Sequence, residues 1–413
     1  MTDTTTSMVP TPTRTPGGTR RWALVPAVAA IVGLAAIAIS SIVPARIVAT
    51  ATNPRLGIDQ AAPYARVPAS AESVNERIVY GDLPDDVEVH STGGDFLFVT
   101  VSAPAQSLLS WLVGRDEPVV ELLTEEGRNG RLTSSQNRQI GLQQMRTATQ
   151  EAQYVALLAA GYEPTIQPGA VVVADVLCAV VAEDGFTCAE SFPADEVLDP
   201  ADTILAVEGN PVDSVEDLGA LLRERRPGDL IGLTIERPDA GVRDVEVELA
   251  ADPFDPARTI IGFQPFDTRT VELPFDVSID TAAVGGPSAG LAFTLALVDE
   301  LTEGDLTGRR DVAVTGTIGL DGTVGAIGGL EQKVSAVHQH GVEVFLVPES
   351  QIELQEDDPT TAVDDAVCRL ACLEAAGEGS VEIIPVGSLE DALAALRELG
   401  GDPIELVEPT ASG

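Results

Sequence analysis

Hydrophobic and polar positions divide the chain into four textures. The first is an unbroken apolar run, Trp22–Val43, without a single charged residue. As a helix, 22 residues reach across the roughly 30 Å hydrocarbon layer of a membrane. Before it, residues 1–21 are rich in Thr and Pro and predict a disordered tail. From 45 to 153 the pattern is mixed. GDFLFVTVSA predicts a strand and AQSLLSWLVG a short helix, and RLTSSQNRQIGLQQMRTATQEAQYVALLAAGY predicts a polar stretch passing into an amphipathic helix. No chemistry is legible in this region. Short strands follow from 154 to 252: AVVVADVLCAVV, DTILAVEGNPV, DLIGLTIERP and DVEVELA, with the helix VEDLGALLRERR between the second and third. From 253 to 401 strands and helices alternate, which predicts an α/β domain. Its elements are the strand VELPFDVSID, the helix PSAGLAFTLALVDEL, the strand-rich DVAVTGTIGL and TVGAIGG, the helix LEQKVSAVHQHG, the strand VEVFLVP and the helix SLEDALAALRELG. Residues 402–413 predict a flexible tail, and no internal repeat is present.

Charge refines the picture. The 413 residues carry a formal net charge of −41, which would repel nucleic acid and anionic lipid. Arg14, Arg20 and Arg21 precede the apolar run, which predicts a cytoplasmic N-terminus and an exported remainder. A cleaved signal peptide is the alternative, with Ala49-Thr50-Ala51 as its cleavage site. The four cysteines fit export: Cys178 with Cys188, and Cys368 with Cys372, form two local pairs that suggest disulfides. Buried free thiols are the alternative. A zinc site is disfavoured because neither spacing is CxxC, and no metal or cofactor is expected.

The basic residues hold the sharpest clue. Lys333 is the only lysine, among 23 arginines. Arginine replaces lysine as a surface cation but cannot give up its proton near neutral pH. A lone lysine therefore points to chemistry that needs a neutral amine. At its ordinary pKa only about one lysine in 2,500 is neutral at pH 7, so the amine must be desolvated. Ile327, Leu330, Val334 and Val337 predict the apolar face that does this. Upstream, Val284-Gly285-Gly286-Pro287-Ser288-Ala289-Gly290 leads into an apolar helix, placing Ser288 at a helix N-terminus where free N–H groups favour developing negative charge. Gly286, Pro287 and Ser288 are the expected oxyanion segment, with Ser288 the nucleophile and Lys333 its base. His338 and His340 lie beyond Lys333 on the same helix and His90 lies outside the domain, so histidine is the weaker base candidate.

GGPSAG and, 45 residues from Ser288 to Lys333, the run VAVTGTIGLDGTVGAIGGLEQKVSAVHQHGVEVFLVPES resemble the proteolytic domain of the Lon serine proteases over about 140 residues. The resemblance implies a Ser288–Lys333 dyad with Thr315 near the amine. Two departures stand out: Gly285 occupies the place of a common acidic residue, and Thr315-Gly316-Thr317 replaces TGE. The stretch PADEVLDPADTILAVEGNPVDSVEDLGALLRERRPGDLIGLTIERP resembles a PDZ domain, with Ala201-Asp202 where Gly-Asp is usual. Its peptide-accepting edge is expected near Ala170 to Val173. No GxxxxGK[ST] motif exists in the sequence. The resemblances together imply an α/β (α+β) Lon-type proteolytic domain at 253–401, preceded by a β-rich PDZ-like domain at 154–252. An extracytoplasmic region at 45–153 and one transmembrane signal anchor at 22–44 would precede these. The expected protein is a single-pass, ATP-independent membrane protease, with unfolded or C-terminal polypeptide segments as substrates and a hexameric ring by analogy. An inactive or self-processing PDZ adaptor is the rival reading.

Overall fold

A computed structural model describes residues 24–53, 58–129, 134–167, 169–181, 188–237, 240–252, 258–282, 284–353, 368–369, 373–374 and 376–404. The expected tail at 1–21 lies outside them, and the one at 402–413 is described only as far as Ile404. The first element is α1 (Leu24–Ile42), whose apolar side chains face outward, Ile42 being 82% exposed. Among the described residues no helix is long and apolar enough to cross a membrane. The expected span 22–44 begins outside those residues. Two hydrogen bonds tie the end of α1 to the body: Leu108 N–H donates to Val43 O at 2.7 Å and Ala45 N–H donates to Gln106 O at 2.8 Å. Ala49, in the alternative cleavage site, is 1% exposed and clusters with Ala45 and Ala62.

Next in order come β1 (Tyr64–Ser73), β2 (Ile78–Tyr80), β3 (Phe96–Ser102), β4 (Glu121–Leu123) and α2 (Ser134–Ala159). A β-rich unit follows: β5 (Thr165–Gln167), β6 (Val171–Val176), β7 (Thr203–Val207), α3 (Val215–Leu222), β8 (Leu230–Arg237), β9 (Gly241–Glu248) and β10 (Phe263–Asp267). The chain continues through β11 (Thr270–Glu272), β12 (Val277–Ile279), α4 (Gly290–Leu301), β13 (Val312–Val314) and α5 (Leu330–Gln339). It ends with β14 (Val344–Pro348), β15 (Glu382–Val386) and α6 (Leu389–Glu398).

The main sheet has the order β15-β14-β13-β3-β1-β4. Strands β15, β14, β13 and β3 run parallel, and β1 pairs antiparallel with both β3 and β4. Parallel strands covered on both faces read as continuous apolar runs, and every residue of β13 is buried. This mixed α/β layer agrees with the expected class but not with the expected partition. β3 lies in the 45–153 region and β13 in the 253–401 domain, yet Phe96 pairs with Val312 and Phe98 with Val314. Both segments are too apolar to serve as open edges, so they complete one sheet. Likewise β2 pairs with β12. The first region therefore supplies half of the main sheet rather than a separate domain.

The β-rich unit is inserted into that layer. Its two ends leave through a short ribbon in which β5 pairs antiparallel with β11, Thr165 opposite Glu272. Its own sheet runs β9-β8-β7-β6-β10 and is antiparallel throughout. Val171, Ile204, Leu218, Ile231 and Ile235 pack in a separate core. The expected peptide-accepting edge at Ala170–Val173 is corrected here. β6 is covered on both sides, Val172 facing Thr203 of β7 and Phe266 of β10. The outermost strands are β9 and β10, an order that sequence succession conceals. Strands Cys178–Val181 and Cys188–Ser191 pair antiparallel, while the side chains of all four cysteines lie outside the described residues.

Candidate active site

Ser288 stands at the entrance of α4, all twelve residues of which are buried. Gly286 turns the chain with φ +93°, a conformation that favours glycine. Gly290 lets the helix sit on the short strand Thr317–Ile318, since a Cβ there would lie 3.0 Å from both Ile318 N and Ile318 Cγ2. The Ser288 carbonyl accepts two hydrogen bonds, from Gly316 N–H at 3.0 Å and from Thr315 Oγ1 at 3.1 Å. The TG pair after β13 thus fixes the main chain of Ser288.

Lys333 enters from α5, whose N-cap Gly329 has φ +69°. Its Nζ lies 2.7 Å from Ser288 Oγ and donates to Thr315 Oγ1 at 2.9 Å. Lys333 is 2% exposed. Leu330, Val334 and Val337 are buried around α5, with Ile327 packed against them. Loss of hydration disfavours the ammonium form, and burial pushes the amine down from 10.5 to about 7. A shift of that size corresponds to about 4–5 kcal/mol. The result is a base that is substantially neutral at physiological pH and touches the hydroxyl it would deprotonate.

The three expected catalytic residues therefore meet in one place: Ser288, Lys333 and Thr315. The histidines do not join them. His338 Nδ1 is bonded to Ser380 Oγ at 2.7 Å and His340 Nδ1 to Ala336 O at 2.8 Å. The expected oxyanion segment is more sparing than its sequence suggests. Gly286 N–H donates to Gly141 O at 2.8 Å, and Pro287 has no N–H. Among the described residues the Ser288 N–H has no acceptor, so it is the donor left for a developing oxyanion.

Gly141 is the site residue that the sequence reading missed. It belongs to α2, and a Cβ built on Gly285 would lie 3.1 Å from Gly141 C and 3.4 Å from its Cα. The approach is tight for a side chain at 285, whereas a Cβ at Gly141 would meet Gly286 N at an ordinary 3.6 Å, so the constraint falls on Gly285, where an acidic residue is common. A glycine inside an otherwise helical stretch was the available signal. Nothing local says which loop packs on it.

Comparison with known proteins places this geometry in context. Residues 271–370 match the Lon protease (S16) C-terminal proteolytic domain. The Lon protease of Azospirillum brasilense is 34% identical over 168 residues, 39% of this chain and 18% of that protein. That of Azorhizobium caulinodans is 35% identical over 169 residues, 40% of this chain and 17% of that one. That of Haemophilus influenzae is 43% identical over 74 residues, 18% and 9% respectively. The chain thus spans less than a fifth of the length of these relatives, and they support a serine peptidase of the Lon type. Among solved structures, the PDZ domain of the SdrC-like protein from Listeria monocytogenes is similar, at 22% identity and a TM-score of 0.18. The match covers 23% of this chain and 85% of that one. The corresponding Listeria innocua domain gives 20% and 0.17, covering 22% and 92%.

Proposed function

We propose that the chain is a serine endopeptidase of the Lon type, working through a Ser288–Lys333 dyad. Ser288 Oγ attacks the scissile carbonyl carbon while its proton passes to neutral Lys333 Nζ. The Ser288 N–H stabilises the oxyanion of the tetrahedral intermediate. As the C–N bond breaks, the Lys333 ammonium returns the proton to the leaving amine. Water then hydrolyses the acyl-enzyme with Nζ again as base. Thr315 orients the amine. The observation that carries this reading is the 2.7 Å contact between Nζ and Oγ at a lysine that is 2% exposed.

Several features support the wider reading. No nucleotide-binding loop occurs in the given sequence, which fits cutting of segments that are already loose. The exposed apolar side chains of α1 suit a membrane anchor, with the remainder extracytoplasmic. The buried Ala49 favours an anchor that is kept over one that is cleaved. The inserted β-rich unit presents substrate to the site, and a ring of copies is the assembly that the resemblance implies.

The test is cleavage of unfolded casein by the full chain without nucleotide, with Ser288→Ala and Lys333→Arg in parallel. Loss in both variants is expected, with folding intact by circular dichroism. Cleavage that survives Lys333→Arg would sink the neutral-amine mechanism. The engaged Gly286 N–H favours one second reading, an inactive or self-processing adaptor. Absence of casein cleavage by the wild type, or a single Ser288-dependent cut in its own chain, would select it.

A further inference from the structure

A cavity of about 270 Å³ lies between α2 and the inserted β-rich unit and reaches Pro287, the residue before the nucleophile. Gln139, Gln143 and Gln144 line one wall, and Gln264 and Phe266 of β10 line the other. On α2, positions 139 and 143 are one helical turn apart and share a face. The side-chain amides of Gln139, Gln143 and Gln144 have no partner among the described residues. Gln264 Nε2 makes only a long bond, 3.5 Å to Pro265 O. Strand β10 is outermost in its sheet and pairs on one side only, with β6.

We propose that this cleft holds an extended segment of the substrate polypeptide and leads it to Ser288, with the four glutamine amides binding its main chain. Each amide both donates and accepts, as does each peptide group, so together they grip a backbone whatever its side chains. The charged groups nearby are acidic on balance, since Glu151, Asp267 and Glu216 share the one guanidinium of Arg269. Glu151 and Asp267 also line the cavity, and both pair with Arg269, at 3.4 Å and 3.5 Å. The uncommitted amides, the outermost strand and the path to Pro287 favour an extended chain over a compact ligand. Sequence alone placed no function on α2. The inference rests on the peptidase reading for the cut, but not for the binding.

The test compares two substrates of the full chain, purified in mild detergent: unfolded casein and a fluorogenic tetrapeptide too short to fill the cleft. The combined Gln139→Ala/Gln143→Ala/Gln144→Ala variant should lower the casein-to-tetrapeptide ratio of kcat/KM about tenfold, mainly through KM. An unchanged ratio overturns the proposal. Gln143→Trp, which fills the cleft, should lower the ratio further. A photo-crosslinking residue at position 143 of the Ser288→Ala chain gives a readout that needs no catalysis and decides the matter if either variant fails to fold. Casein should cross-link there and unlabelled casein should compete. No cross-link overturns the proposal. A cross-link together with no casein cleavage by the wild type upholds the cleft and removes the peptidase reading instead.

Discussion

The N–H of Gly286 donates to the carbonyl oxygen of Gly141 at 2.8 Å, fastening the loop before the nucleophile to the middle of a helix nearly 150 residues away in sequence. The fastening leaves little room for a side chain at Gly285. Gly285→Ala would place its Cβ 3.1 Å from Gly141 C, and Gly285→Asp, which restores the acid common in Lon proteases, is worse. Either variant should cost about 1–3 kcal/mol in urea unfolding. Each should also cut casein turnover about tenfold or more, because Ser288 moves with the loop.

Activity should rise with pH through about 7. In the proposed dyad only the neutral form of Lys333 can accept the Ser288 proton, and burial sets its pKa there. A kcat/KM profile for the tetrapeptide should show an acidic limb of unit slope ending near pH 7. A limb near pH 10 would mean that the amine is hydrated.

The same residue should make the fold more stable in alkali. Between about 7 and 10.5 the unfolded chain holds a proton on Lys333 that the native chain does not, so unfolding free energy rises with pH. Asp299 acts in the other direction. It is fully buried, with Oδ1 accepting from Leu306 N–H at 2.7 Å and Oδ2 without a partner among the described residues. Burial pushes it from 3.8 to about 7. The native state then holds the extra proton, and its stability contribution is lost as pH rises from about 4 to 7. Thermal unfolding should show Tm falling across that window in the wild type and falling less in Asp299→Asn.

Thr315→Val should separate positioning from binding. It removes the hydrogen bond from Lys333 Nζ at 2.9 Å and the one donated to Ser288 O at 3.1 Å. We expect kcat to fall about 10–100-fold with KM within a few-fold, and Thr315→Ser to recover most of the loss. Equal falls with both variants would assign Thr315 to packing alone.

Ala201 has φ +73°, a left-handed conformation that costs an L-residue about 1 kcal/mol. It stands before Asp202, which is fully buried and whose carboxylate accepts from Arg237 Nε at 2.7 Å. Ala201→Gly should raise Tm and stabilise by about 0.5–1 kcal/mol. A decrease would mean that entropy gained by the unfolded chain outweighs the relieved strain.

What the sequence disclosed follows from how local each signal is. Ser288 was legible because a Gly/Pro turn and an apolar helix adjoin it. Lys333 was legible because it is unique and sits among Leu330, Val334 and Val337. The α/β alternation of the C-terminal half was plain from the same periodicity. Strand order was not, since Phe96 meets Val312 across more than 200 residues and β10 lies beside β6 in the sheet although β7, α3, β8 and β9 stand between them in the chain. The β5–β11 ribbon is three residues a side, too short for a period-2 pattern to stand out. The place of α2 at the site was hidden for another reason. Its glutamines look like an ordinary solvated face until the strand opposite them is known.

The burial of Lys333 has a consequence for how the molecule meets its surroundings. With its one lysine buried, the folded protein presents no side-chain ammonium to its surroundings. Acetylation, ubiquitin-type conjugation and amine-directed dyes have no side chain to reach on the native surface. An endoproteinase that cuts after lysine has one bond available, inside the catalytic layer. A cut there, or a label on that nitrogen, therefore marks a molecule whose active site has come open.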